Sequence, residues 1–375
     1  MKILFDFEDI LNKYWGVPLA TIDDIKSIAS LNSVDISLWL SKKEAKIIRE
    51  EGYVQFRDLN QLEKILTMLE TRPGNLSLWY LQFLKTFNEI QTDFHYTCHF
   101  PATKIKSSQR IIRVHDPFSD SSQSWREFIK KGTLKNKVAR AIRNESFKLV
   151  ESNSIIVCNS KFTAKRMIQI YGISLDRISV IPCGFNWQSY ESIENKRSLN
   201  PLYKDYYLMV SGLRGNKRPD LVINAWANCT KTLPKLIVVG KIPLKSLSQT
   251  AVKQISNGRL ILKEFVNESD LENLRINANA MVFASKYEGF GRPVIEALLS
   301  GVPSIANDLE VFKEISLNCV DFFSLSNPMS IEPLLLQYSE KIDKNKSQFL
   351  VEKAQIYSYK SIGRQWKSIL DLHNG

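Results

Sequence analysis

The stretch that most constrains the fold of this chain is residues 280–307, AMVFASKYEGFGRPVIEALLSGVPSIAN. The apolar run Ala280 to Ala284 predicts a buried parallel strand. A polar turn follows, Ser285 to Gly291, and Pro293 suits the first turn of a helix because its missing N–H is not needed there. The helix continues through Ile295, Glu296, Ala297 and Leu298, Gly301 stops it, and Val302 to Ala306 returns as a strand. Strand, turn, helix and strand in this order make one unit of a doubly wound α/β sheet. Such sheets bind ligands outside the carboxyl ends of their strands, where this turn lies.

The chemistry of the turn follows from its residues. Gly289 and Gly291 let the backbone approach a ligand closely. The helix start behind them offers N–H groups and partial positive charge to a phosphate. Glu288 and Glu296 flank the turn, and a carboxylate accepts hydrogen bonds from hydroxyls such as those of a sugar or a ribose. Anion donors and hydroxyl acceptors together suit a sugar nucleotide. The same spacing also suits a plain strand–helix connection with two solvated glutamates.

The residues Glu288-Gly-Phe-Gly-Arg-Pro-Val-Ile-Glu296 resemble the E-x7-E signature of family 4 of the retaining nucleotide-sugar glycosyltransferases, and the trailing Ala297, Gly301 and Pro303 fit it too. The resemblance implies the GT-B fold, an α/β architecture of two Rossmann-like domains facing across a cleft. It implies an acceptor-binding N-terminal domain over 1–190, with a C-terminal helix at about 355–372 packing back on it. It implies a nucleotide-sugar-binding domain over 200–354. In that family Glu296 would hold the ribose, Glu288 the sugar hydroxyls, and Gly289, Phe290 and Gly291 would border the donor.

Length and composition agree with two soluble domains. The chain has 375 residues, more than one core usually serves, with 44% apolar and 24% charged residues. No run of eighteen apolar residues predicts a spanning helix. The opening MKILFDFEDI carries acids within its apolar run and reads as a first strand, not a signal peptide. Cys98, Cys158, Cys183, Cys229 and Cys319 are scattered, which argues against a disulfide framework or a zinc site and for a reducing compartment. The expected location is cytoplasmic, or peripheral on the inner face of the membrane. A formal charge of +12 suits an anionic partner such as a nucleotide diphosphate or acidic lipid headgroups.

Along the first half, 34–41 predicts a strand, and 58–70 and 75–90 predict amphipathic helices. Arg110 to Val114 predicts a strand ending in His115-Asp116, which resembles the family's His-Asp pair beside the transferred sugar. His99-Phe100-Pro101 resembles a second histidine segment of the family. Residues 125–150 are rich in Lys and Arg interleaved with Trp125, Phe128 and Phe147. They suit either an anionic membrane surface or an ordinary amphipathic helix with solvated bases. No nucleic-acid module surrounds them. Ser160 predicts a helix N-cap and Gly172 its stop, and Cys183 lacks a basic partner and reads as structural. Residues 186–204 lack periodicity and read as a linker.

The second half opens with the strand Tyr206 to Val210 and the turn Ser211-Gly-Leu-Arg-Gly-Asn-Lys217. Arg214 can fork onto diphosphate oxygens and Lys217 adds a point charge. Lys217 matches the family's lysine, and Arg214 its arginine in a turn one residue shorter. By resemblance, Phe265 and Val266 border the nucleobase. The last helices are expected at about 332–340 and 347–372. No Asp-x-Asp pair stands at a strand end, so the bases are expected to replace a metal and no cofactor is required.

The His-Asp pair and the short lysine turn resemble mannosyltransferases of bacterial surface polysaccharide and lipopolysaccharide synthesis. That implies GDP-mannose as donor and a lipid-linked or other glycan as acceptor, with UDP-hexoses as the alternative. A sugar-nucleotide epimerase or hydrolase, or a non-catalytic sugar-nucleotide-binding subunit, would use the same motifs. A dinucleotide oxidoreductase is disfavoured, because no G-x-G-x-x-G follows the first strand.

Overall fold

The computed structural model describes residues 1–6, 16–31, 33–39, 66–69, 92–97, 109–115, 154–197, 201–213 and 215–373. The chain divides into two compact units, one of Met1–Asn186 with Tyr357–Gly375, the other of Trp187–Ile356. Among the described residues no helix is long and apolar enough to cross a membrane.

The first unit is built on β1 (Lys2–Asp6), β2 (Asp35–Trp39), β3 (Leu66–Leu69), β4 (Phe94–Thr97), β5 (Gln109–Val114), β6 (Ser154–Cys158) and β7 (Ile178–Val180). They form a parallel sheet in the order β3-β2-β1-β4-β5-β6-β7. Strands of such a sheet are covered on both faces, so they read as continuous apolar runs. On one face Ile3, Phe5, Ile36, Tyr96 and Ile111 pack against Ile22 and Ile25 of the helix Gly16–Ala29 and Trp366 of the helix Tyr359–Leu372. On the other, Ile112, Val114, Ile156 and Cys158 pack against Ala164 and Met167 of the helix Lys161–Tyr171. Ser160 accepts from Thr163 N at 3.0 Å at the start of that helix, and Gly172 (φ 65°) closes it.

A buried polar cluster lies inside this unit. Arg113 is fully buried on β5 and its Nε stands 2.8 Å from Asp24 Oδ2. Its remaining donors reach the carbonyls of Ile181 (2.7 Å) and Cys158 (3.3 Å), and the Trp366 ring lies 5.4 Å from the guanidinium. Tyr96 donates its hydroxyl to Asp24 at 2.7 Å. Gly363 is where the C-terminal helix meets the helix Gly16–Ala29, since a Cβ there would stand 2.4 Å from Ser27 O.

The second unit contains β8 (Tyr206–Val210), β9 (Lys235–Val239), β10 (Leu260–Lys263), β11 (Ala280–Phe283), β12 (Ser304–Asn307) and β13 (Val320–Phe323). They are all parallel, in the order β10-β9-β8-β11-β12-β13. The strand order reverses between β8 and β11, and the crevice beside that reversal is where doubly wound sheets take ligands. The core gathers Tyr207, Met209, Val238, Val282 and Ile305 from the strands with Val222, Ile223 and Trp226 from the helix Pro219–Ala227.

Three expectations are corrected. The stretch 58–70, expected to be helical, contains β3, whose Leu66 pairs with Ile36 and Leu69 with Trp39. A neighbouring strand that supplies the ladder overrides a local helical pattern. The remainder of that stretch and 75–90 lie outside the described residues. The supposed linker contains a helix, Tyr190–Arg197. Its last residue is anchored by distant groups, since Arg197 donates to Ile276 O (2.8 Å), Ser300 O (3.0 Å) and Gly301 O (3.0 Å). The single helix expected over 347–372 is two, Lys344–Ala354 and Tyr359–Leu372. Between them the backbone pairs with Phe185, whose N donates to Tyr357 O (2.8 Å) and whose O accepts from Tyr359 N (3.1 Å). Ser358 then restarts the helix by accepting from Ser361 N.

Candidate functional site

Two turns leave the carboxyl ends of β8 and β11, the strands flanking the reversal. They are zipped together by main-chain bonds. Arg218 N donates to Ala284 O (2.9 Å) and Lys286 N to Asn216 O (2.7 Å). Lys217 and Ser285 sit opposite each other as an antiparallel bridge. Asn216 Nδ2 adds a bond to Tyr287 O at 3.0 Å.

This register brings Lys217 and Glu288 together. The Lys217 ammonium ion-pairs with Glu288 Oε1, with side-chain exposures of 29% and 13%. The Ser285 hydroxyl donates to the same oxygen at 2.7 Å. The three side chains line a narrow recess together with Val210, Ser211, Gly291 and Pro293. A cation and a carboxylate at one mouth can serve the two ends of a polar ligand, an anionic group and a hydroxylated one.

Gly291 precedes the helix Arg292–Leu299 at φ 95°, a region that favours glycine. A Cβ there would lie 2.4 Å from the Phe312 ring, so both backbone and packing require glycine. Phe290 is buried, and what its position offers a ligand is main chain. Glu296, one turn into the helix, lies between Arg275 Nη2 (3.5 Å) and Arg292 Nε (3.9 Å). These arginines were not singled out from the sequence.

The other residues named from the sequence are spread more widely. Phe265 follows β10 and is 63% exposed, with Val266 half-buried beside it. His115 is in the first unit, buried immediately after β5, and its carbonyl accepts from Asn159 Nδ2 at 2.6 Å. Arg214, His99, Asp116 and the basic stretch 125–150 lie outside the described residues. Cys183 is buried. Burial pushes the thiols of Cys158 and Cys229 up to about 12 and about 11, out of the nucleophilic range.

Sequence reasoning passed over Ser285 and Asn307, which build the site from behind. Ser285 N donates to Asn307 Oδ1 (2.8 Å) and Asn307 Nδ2 to Ser285 O (2.9 Å). The available signal was an asparagine directly after the strand predicted over Val302 to Ala306.

Comparison with known proteins bears on this unit above all. Residues 191–331 match the family model described as glycosyl transferases group 1, a span that contains Lys217, Glu288 and Glu296. The Escherichia coli serotype-specific mannosyltransferase WbdA is 33% identical over 89 residues, covering 24% of this chain and 11% of that protein. The Salmonella typhimurium O-antigen chain mannosyltransferase RfbU is 29% identical over 164 residues, covering 43% of this chain and 44% of that one. The chain thus spans less than half the length of these two relatives.

Among solved structures, Anabaena Alr3699/HepE in complex with UDP superposes with a TM-score of 0.67 at 18% identity, covering 99% of this chain and 100% of that one. WaaG, a glycosyltransferase involved in lipopolysaccharide biosynthesis, superposes with 0.63 at 13% identity, covering 99% of each chain. At these identities the likeness is one of fold, and the fold is GT-B.

Proposed function

We propose, on the premise that residues 191–331 are a glycosyl transferases group 1 domain, that this chain moves a hexose from a nucleoside diphosphate sugar onto a glycan acceptor. The observation that carries the reading is the Lys217–Glu288–Ser285 cluster at the strand-order reversal. It sets a fixed cation where a diphosphate can lie and a carboxylate where sugar hydroxyls can lie.

In this reading the bond between the anomeric carbon and the diphosphate oxygen breaks, and negative charge grows on the leaving group. Lys217 and the main-chain N–H groups of 289–291 stabilise that charge from fixed, partly shielded positions, and Arg214 is assigned to the same diphosphate. Glu288 grips the transferred sugar and Glu296 the ribose, with Phe265 and Val266 near the base. The acceptor hydroxyl attacks the anomeric carbon on the face the diphosphate leaves, with retention of configuration. Its proton passes to the departing phosphate oxygen. The acceptor is assigned to the first unit, with His115 as the candidate histidine for the sugar. The bases do the work a metal would do, so turnover should survive excess chelator.

The finer assignment is mannose from GDP-mannose, onto a lipid-linked glycan of surface polysaccharide synthesis. The two mannosyltransferase relatives favour it. A UDP-sugar donor is the second reading, favoured by the fold neighbour whose structure contains UDP and glucose. A thermal-shift panel of GDP-, UDP- and ADP-sugars separates them, since a ligand at one hundred times its Kd adds about 2.7 kcal/mol to stability. The largest rise is expected with GDP-mannose and should shrink in Lys217→Ala. A larger rise with UDP-glucose selects the second reading. No rise with any sugar nucleotide contradicts both.

A further inference from the structure

Asn307 and the Lys217–Glu288 pair share one neighbour, Ser285. The main-chain ladder between β11 and β12 runs from Met281↔Ser304 to Phe283↔Ala306 and stops there. The next residue of β12, Asn307, keeps its own backbone in register with Phe323 of β13. Its side-chain amide instead engages both main-chain groups of Ser285, accepting at 2.8 Å and donating at 2.9 Å. A side-chain amide thus takes over from the peptide ladder where the two backbones part. Asn307 and Ser285 are both buried, so no water would replace either bond.

Ser285 is the junction of the site. Its hydroxyl donates to Glu288 Oε1 at 2.7 Å. Its backbone faces Lys217 across the bridge that zips the two turns. Glu288 Oε1 in turn carries the Lys217 ion pair. One amide therefore fixes the residue from which both charged groups take their places.

We propose that Asn307 is a positioning residue for the donor site, holding Ser285 so that Lys217 and Glu288 meet a nucleoside diphosphate sugar in fixed geometry. The inference rests on reading Lys217 and Glu288 as donor groups. An apolar residue of similar size would fill the same space but leave the Ser285 peptide groups unpaired. An aspartate would keep the bond from Ser285 N and lose the one to Ser285 O.

The test is calorimetric titration of the full chain with GDP-mannose and with UDP-glucose, with melting temperatures measured alongside. Asn307→Ala should weaken binding of the better ligand by about tenfold in the unaltered background, and by less than about twofold further in Lys217→Ala, because interacting groups give non-additive losses. Asn307→Asp serves the same comparison if Asn307→Ala does not fold. Equal losses in both backgrounds would mean that Asn307 acts on overall stability alone, and would overturn the proposal. So would unchanged binding in Asn307→Ala when Lys217→Ala and Glu288→Ala bind weakly. If Lys217→Ala and Glu288→Ala themselves bind normally, it is the donor-site reading that fails.

Discussion

Lys217 and Glu288 leave different strands, β8 and β11, and meet in one ion pair that the Ser285 hydroxyl shares. Their meeting is set by main-chain register between the two turns, not by chance contact of long side chains. Replacing either by alanine should therefore lower transfer by about 100- to 1000-fold, the scale of losing one preorganised electrostatic group. The melting temperature should change little, since the pair is partly exposed. Turnover with a radiolabelled sugar nucleotide checks it, and near-normal rates in both variants would remove these roles.

Gly291 should not accept a side chain. Its φ of 95° opposes one, and so does the Phe312 ring, 2.4 Å from where a Cβ would stand. Gly291→Ala should lose about 1–3 kcal/mol in denaturant unfolding. It should also weaken sugar-nucleotide binding, because the turn before the helix must move. A fully stable variant would show that the turn has slack.

The second unit has a hinge of stability in Arg197. Its guanidinium serves three carbonyls that end two helices, those of Ile276, Ser300 and Gly301, and it also donates to Ser347 Oγ at 2.8 Å. Arg197→Ala should cost about 2–4 kcal/mol, and Arg197→Lys should recover little, since one ammonium cannot fork in the same way. Urea unfolding of the full chain reads both. A loss below about 1 kcal/mol, roughly one ordinary hydrogen bond, would contradict the multiple anchoring.

The Asp24–Arg113 pair makes a matching prediction in the first unit. Both side chains are fully buried. Asp24→Ala leaves the guanidinium charged and unpaired, at a cost of about 3–5 kcal/mol. Unfolding monitored by tryptophan fluorescence should register it through Trp366, which packs on Arg113. An unchanged midpoint would show that Arg113 finds its partners elsewhere.

His95, on β4, gives stability a pH dependence. Burial first, then Arg110, pushes its pKa down to about 3 from 6.5. The folded form therefore keeps it neutral while the unfolded chain takes up a proton below 6.5. Its contribution is present above that pH and is lost as pH falls towards 3. Between about pH 7 and 5.5 the chain should lose about 1 kcal/mol more than the His95→Gln variant does. Parallel losses in the two proteins would show that His95 is protonated in the fold.

Much of the second unit was legible because its signals are local. Ala280 to Ala284 is apolar without interruption, and β11 occupies Ala280–Phe283. Pro293 stands in the first turn of its helix, and Gly301 follows the end. Asn267 caps the helix Glu268–Asn277 by accepting from Asp270 N. What could not be read depends on partners far along the chain. The helix Tyr190–Arg197 has no apolar stripe of its own and is fastened by Arg197 to residues 79 to 150 positions away. Leu66–Leu69 becomes a strand because β2 lies beside it. In the site, Glu288 and Lys217 stand out by charge at turns, whereas Asn307 and Ser285 act through backbone geometry that composition does not reveal.

A crystal structure of the full chain with GDP or UDP bound tests the central claim most directly. The pyrophosphate should lie against the Lys217 ammonium and the main-chain N–H groups of 289–291, with the ribose hydroxyls on Glu296. A nucleotide bound elsewhere, or a Lys217–Glu288 pair turned away from it, would contradict the account.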